Sequence, residues 1–125
     1  MVTDFHMTVD SIAGTLLIAP AGMLDPSGCR QLDECLQQAV RGRRDVVVDL
    51  SDASNLPQRA IDALAGARER LGVRLRVVVP RGGPAFVALR RAGVHHTLAI
   101  HASEASALTA ARTGGEGSGR GRRGR

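Results

Sequence analysis

The sequence predicts an open α/β sheet with an antiparallel edge, in the order β-β-α-β-α-β-α-β-α. Two short apolar segments separated only by a turn stand at the start of the chain, which is typical of a hairpin. After them, β-branched apolar runs alternate with segments of helical periodicity, as in parallel sheets with right-handed helical crossovers. With 125 residues, 43% of them hydrophobic, the chain is long enough for one such core.

The first two elements are predicted as paired strands. Residues 5–9 alternate apolar and polar side chains, the pattern of a half-buried strand. Residues 10–14 are predicted as a turn, and residues 15–19 form a continuous apolar run that stops at Pro20. We expect these two strands to form the antiparallel edge.

The first helix is predicted over residues 26–41. Asp25 is a typical N-cap residue, and Pro26 suits the first helical position because it lacks the N–H that would be unpaired there. Apolar residues then recur at helical spacing: Cys29, Leu32, Leu36, Ala39 and Val40.

Residues 45–50 contain an unbroken valine run, which predicts a central strand buried on both faces. A loop over 51–56 leads to a second helix that starts at Pro57 and ends before Gly72. One stripe of this helix carries Ala60, Ile61, Leu64, Ala65, Arg68 and Leu71.

The remaining elements are shorter. Residues 74–79 are predicted as a strand, 85–92 as a helix closed by Gly93, and 97–100 as a last strand. Ser103 is predicted to cap a final helix that ends near Arg112. The domain is therefore expected over residues 1–112, followed by a disordered Gly/Arg-rich tail over 113–125.

The positive charge is concentrated in that tail. The net charge is +5, but residues 1–112 hold 13 arginines against 11 acidic residues and are nearly balanced. With only two aromatic residues, the chain lacks the stacking platforms of single-strand nucleic-acid readers. Any nucleic-acid binding is expected to be weak and salt-sensitive, and a solubilising end is the simpler interpretation. The tail arginines are Arg120, Arg122, Arg123 and Arg125.

The cysteines and the N-terminus indicate a reducing cytoplasm. Cys29 and Cys35 lie about 9 Å apart along one predicted helix, which is too far for a disulfide. The first residues lack the basic and continuous apolar segments of a secretion signal, and no apolar stretch approaches the roughly 20 residues of a membrane span.

No cofactor, metal or catalytic residue is predicted. His95 and His101 would stand about 20 Å apart on an extended strand, so together with His96 they are interpreted as surface or strand-end residues. The segment 81–84 lacks the spacing of a phosphate-binding loop, and neither cysteine has a His in motif spacing. Nothing in the sequence assembles a base, a nucleophile and an orienting group.

Four pieces of the chain together resemble a STAS domain, the fold of bacterial anti-sigma factor antagonists. They are residues 18–25 (IAPAGMLD), the helix that ends before Arg43, residues 46–51 (VVVDLS) and residues 89–94 (LRRAGV), and the similarity covers about residues 4–112. The resemblance implies a cytoplasmic regulator, of stress responses for example, that docks on an anti-sigma factor. Such a partner is typically an ATP-binding serine kinase, and its capture frees a sigma factor for transcription.

The sequence departs from this family at the position that carries its switch. In the family, the second helix opens with Asp-Ser, and the partner kinase phosphorylates that Ser. Here Pro57 and Gln58 stand at these positions, and Gln has no hydroxyl to accept phosphate. Gln58 either mimics the unphosphorylated state permanently or marks a helix that no longer meets a kinase. Ser54, four residues earlier, is only a weak substitute acceptor.

The predicted partner contacts surround this helix start. Simpler roles also exist, since Ser54 and Asn55 suit bonds to the loop backbone and Arg59 suits simple solvation. Two alternative functions stay open: an accessory subunit of another ATPase or signalling complex, and weak nucleic-acid binding through the tail. The predicted contacts are Asp25, Ser54, Asn55, Gln58, Arg59 and Asp62.

Overall fold

The computed structural model describes residues 5–117, which form a five-stranded sheet in the order β1-β2-β3-β4-β5. β1 runs antiparallel to β2, and the other neighbours are parallel. This confirms the predicted class, element order and antiparallel edge. The elements are β1 (His6–Ile12), β2 (Thr15–Ala21), α1 (Pro26–Gly42), β3 (Val46–Asp49), α2 (Gln58–Leu71), a 3-10 turn (Gly72–Arg74), β4 (Leu75–Val78), α3 (Pro84–Ala92), β5 (Ala99–His101) and α4 (Glu104–Gly117).

The helices divide unequally between the two faces of the sheet. Buried residues of α1, α2 and α3 form one apolar cluster with Val46 and Val48 of β3 and with Leu75 and Val77 of β4. Because side chains alternate along a strand, Val47 and Val78 point to the opposite face. There they meet α4, and the second cluster contains Leu17, Val47, Val78 and Ala107. We call these the first face and the second face.

The N-terminal hairpin is longer than predicted. β1 continues to Ile12 instead of ending near Val9, because residues 10–12 stay in register with residues 15–17 of β2. Polar side chains there suggested a turn, but an exposed edge strand tolerates them. The true turn is two residues, Ala13 at φ 52° and Gly14 at φ 85°, and positive φ at both positions suits a tight hairpin.

Several element boundaries differ from the prediction by a few residues. α2 begins at Gln58, with Pro57 as its extended N-cap. The last strand begins at Ala99 instead of Thr97, because Thr97 turns back and hydrogen-bonds to the Val94 carbonyl. α4 continues to Gly117, five residues beyond Arg112, since glycines weaken a helix without forbidding it.

The predicted tail lies largely outside the described residues. Residues 118–125, which carry its four arginines, are not described, so the domain boundary at 112 stays a prediction. Within residues 5–117, no helix is both long enough and apolar enough to cross a membrane.

Candidate functional site

Two loops are joined at the carboxyl ends of β2 and β3. Gly22 forms a parallel bridge with Ala53. Its N–H donates to the Asp52 carbonyl at 2.9 Å, and its carbonyl accepts from the Ser54 N–H at 2.8 Å. The carboxyl edge of a parallel sheet is the usual place for a binding site. Here the β2–α1 and β3–α2 loops form one continuous surface at that edge.

Asn55 fixes the second loop to the first. Its Oδ1 accepts from the Leu24 N–H at 2.7 Å, and its Nδ2 donates to the Leu24 carbonyl at 3.3 Å. Asn55 is only partly exposed. The side chain therefore bonds loop backbone, which is the simpler of the two roles considered from sequence, and its predicted contact with a partner stays a prediction.

The start of α1 forms the other side of this surface. Asp25 caps the helix as predicted, with its Oδ1 accepting from the Gly28 N–H at 2.7 Å. Gly28 faces the ring of Phe5, and a Cβ at that position would lie 3.0 Å from Phe5 Cζ. Since real Cβ contacts are not that short, glycine allows the ring to pack over the helix start.

Gln58 lies exposed at the first position of α2. Its Nε2 donates to Asp62 Oδ1 at 2.9 Å, one helical turn further along. Within residues 5–117, no side chain caps this helix end, and its first turn holds no acidic residue. The positive end of the helix dipole, together with Arg59, therefore leaves the start of α2 electropositive.

An open groove of about 560 Å³ lies between the start of α2 and α3. The contribution of α3 to this groove was not predicted from the sequence. The available signal was Val87, an apolar residue outside the buried stripe of that helix, and its side chain is 45% exposed. Arg91 adds a positive charge at the groove. The lining residues are Ser54, Asn55, Leu56, Gln58, Ile61, Pro84, Val87, Ala88, Arg91 and Ala92.

The predicted contacts divide between two depressions. Ser54, Asn55 and Gln58 line the α2–α3 groove, whereas Arg59 and Asp62 line a second cleft of about 390 Å³ that Cys29 and Arg30 border. Asp25 lines neither of these two depressions. The structure thus places the six residues around one helix start without bringing all of them to a single pocket.

The cysteines and histidines lie apart from the groove. Cys29 is buried as predicted, and burial raises the pKa of its thiol despite nearby Arg59, which favours the unreactive protonated form. His101 ends β5 and contacts Ser106, with 3.0 Å between Nδ1 and Oγ. Within the described part of the chain, no three His, Cys, Asp or Glu side chains are grouped to hold a metal.

The second face contains a polar cluster that the sequence analysis missed. Asp49 and Arg76 point toward α4, and each is only 9% exposed. Asp49 hydrogen-bonds to Glu104, the first residue of α4. Asp49, a polar residue inside the predicted strand 45–50, gave no sign of this contact, because its partner lies 55 positions further along the chain.

Comparisons with known proteins agree with the fold. A family model for the STAS domain matches residues 6–107. A search of curated proteins found no match. An anti-sigma factor antagonist from Mycobacterium paratuberculosis superposes with a TM-score of 0.77 at 23% identity, covering 87% of this chain and 95% of that one.

Two further solved structures are similar. An RsbS variant from Moorella thermoacetica has a TM-score of 0.70 at 17% identity, covering 86% of this chain and 95% of its own. SpoIIAA from Bacillus in its phosphorylated form has a TM-score of 0.62 at 16% identity, covering 83% of this chain and 97% of its own. At such identities the likeness shows the fold alone.

Proposed function

The chain belongs to the STAS domain family, and we propose from that premise that it is a non-enzymatic docking module that captures an anti-sigma factor. The observation that carries this proposal is the apolar groove at the uncapped start of α2, the helix end at which the family resemblance expects docking. By the same resemblance, the partner is an ATP-binding serine kinase in the cytoplasm whose capture frees a sigma factor.

The chemistry of the groove defines the complementary surface. Leu56, Ile61 and Val87 supply apolar contact area, while Arg91 and the N-terminus of α2 supply positive potential. A partner segment that fits would bury an apolar side chain and place a carboxylate near the helix start. Interfaces of this kind derive specificity from charge and affinity from the buried apolar centre.

Gln58 makes this docking surface insensitive to the family's phosphorylation switch. A phosphate would add roughly −1.5 to −2 charge to the surface at neutral pH. The Gln58 side chain is neutral, has no hydroxyl, and is hydrogen-bonded to Asp62. We therefore expect a permanently binding-competent surface, with control through abundance or competition.

The test is partner capture from native lysate with the full chain, with and without ATP, followed by titration of the recovered protein. Gln58→Glu should weaken binding by about tenfold or more. The new carboxylate would face the expected carboxylate of the partner, and repulsion between like charges across an interface costs more than roughly 1.4 kcal/mol. Gln38→Glu makes the same change at an exposed position of α1 and should leave affinity unchanged.

Other outcomes would redirect the proposal. Stoichiometric phosphorylation of Ser54 that abolishes binding would contradict a permanently competent surface. Recovery of a different ATPase would favour the alternative of an accessory subunit. Binding that vanishes steeply with salt and needs nucleic acid would favour the arginines of the tail.

A further inference from the structure

α4 is held on the second face by polar contacts at several points along its length. Near its middle, the Ala110 carbonyl accepts from Arg76 Nη2 at 3.2 Å. Nearer its start, Ser106 contacts His101 across 3.0 Å. Among the described side chains of α4, those of residues 104–110, Ala107 belongs to the buried cluster and Leu108 packs at its margin. The polar contacts therefore contribute to how firmly α4 is held.

The contact between Glu104 and Asp49 requires a proton. Two ionised carboxylates can only accept hydrogen bonds, so a bond between them exists only while one of them is protonated. Asp49 also accepts from the Ser51 N–H at 2.9 Å, which favours its ionised form. The shared proton therefore resides mainly on Glu104.

The charges around the pair favour keeping that proton. The hydrogen bond to Asp49, burial, and the carboxylates of Asp49, Asp10 and Asp52 together raise the pKa of Glu104 to about 7. Burial acts to raise the pKa of Asp49, but hydrogen bonds from Glu104 and Ser51 outweigh it and lower the pKa.

Arg76 and His101, the basic groups that β4 and β5 present on the second face, hydrogen-bond to other groups. Arg76 on β4 donates to the carbonyls of Val73 and Ala110, and its Nε has no partner among the described residues. His101 on β5 contacts Ser106. Burial, with Arg76 nearby, lowers the pKa of His101, so near neutral pH it adds little positive charge to balance the carboxylates.

We propose that α4 is a proton-dependent cover, docked on the second face while Glu104 and Asp49 share a proton and loosened once the pair loses it. Loosening would expose Leu17, Val47 and Val78 and would leave two adjacent negative charges. Asp52, whose charge acts on Glu104, lies in the β3–α2 loop, so the start of α4 lies near that loop. The proposal does not depend on the identity of any partner.

The sign of the pH dependence follows from the two directions of shift. Because the pKa of Glu104 is higher when docked, its contribution is full below its ordinary value of 4.5 and declines until about pH 7. The lowered pKa of His101 acts oppositely, since its contribution is full above 6.5 and declines in acid. Between pH 6.5 and about 7 only Glu104 titrates, so docking weakens as the pH rises through this interval. The lowered pKa of Asp49 matters only below its ordinary value of 3.8.

Hydrogen exchange of the full chain, expressed as protection factors of α4 amides from about pH 5 to 8, tests the proposal. In His101→Asn, where the opposing histidine is absent, these factors should fall by about tenfold or more, since one linked proton changes an equilibrium by up to about tenfold per pH unit. The wild type should show a shallower fall. Glu104→Gln should abolish the fall and leave only the opposite slope of His101, and β3 and β4 amides serve as internal controls.

Two results would overturn the proposal: the same fall in Glu104→Gln as in the wild type, or α4 amides unprotected at every pH. A carboxyl-carbon titration by NMR gives an independent measurement. The Glu104 midpoint should lie near pH 7 and return to the ordinary range in Asp49→Asn. A midpoint near 4.5 in the wild type would equally contradict a shared proton.

Discussion

The two faces of one sheet are stabilised in different ways. On the first face, 22 buried residues from three helices, three strands and the loops between them form a continuous apolar cluster. On the second, the buried apolar cluster has four members among the described side chains, and the same face carries a buried arginine and the carboxyl pair. The first face is specified by local apolar periodicity, whereas the second is specified by individual contacts between distant residues. We therefore expect large, uniform mutational effects on the first face and small, pH-dependent ones on the second.

The largest expected effect contrasts a leucine from each face. Leu64 on α2 is fully buried, and Leu64→Ala should lower the free energy of unfolding by about 3 kcal/mol through lost burial and the remaining cavity. Leu108 on α4 is partly buried at the margin of the second cluster, so Leu108→Ala should cost about 1 kcal/mol or less. Urea denaturation measures both, and equal losses would refute the contrast.

A polar contact at the rim of the first face comes next. Asn55→Ala removes both hydrogen bonds to Leu24 and should cost about 1–3 kcal/mol, because the Leu24 N–H loses its acceptor. Ser54→Ala is the neighbouring control: Ser54 is exposed, and its hydroxyl has no hydrogen-bond partner within residues 5–117, so little change is expected. If Asn55→Ala keeps the stability of Ser54→Ala, the hydrogen bonds to Leu24 do not stabilise the fold, and partner contact is the role that is left for Asn55.

The smallest expected effects compare a glycine inside a helix of the first face with a glycine that caps another helix of that face. A Cβ would meet nothing within 4 Å at either Gly66 or Gly93. Gly66 lies inside α2, so Gly66→Ala should raise stability by about 0.5–1 kcal/mol. Gly93 ends α3 at φ 76°, so Gly93→Ala should lower it by about 1 kcal/mol. Thermal unfolding compares them, and a shift of the same sign in both would show that backbone conformation does not decide these sites.

The elements of the first face were predictable because their signals are local. Asp25 followed by Pro26, the valine run of β3 and the apolar stripe of α2 each lie within one element, and each formed the predicted structure. The end of β1 moved because backbone pairing overrides side-chain character at Asp10 to Ile12.

The candidate site was predictable only in part. The position of Gln58 follows from counting along the chain, but the bond between Asn55 and Leu24 joins residues 31 apart. The α3 side of the groove and the contact of Asp49 with Glu104 likewise depend on tertiary packing. Contacts between residues far apart in the sequence leave no local pattern. For this reason the polar cluster on the second face was not predicted.

Each strand of the sheet lies beside the strand that precedes it in the chain. During synthesis, the β1–β2 hairpin can therefore pair first, and β3, β4 and β5 can each add to a single growing edge as they emerge. None of the strands in residues 5–117 must insert between two that are already paired. Only the hairpin closes a short loop, and each later strand joins after a helical crossover, so the parallel pairings are expected to form more slowly than the hairpin. α4 then docks last, when the face that it covers is already complete.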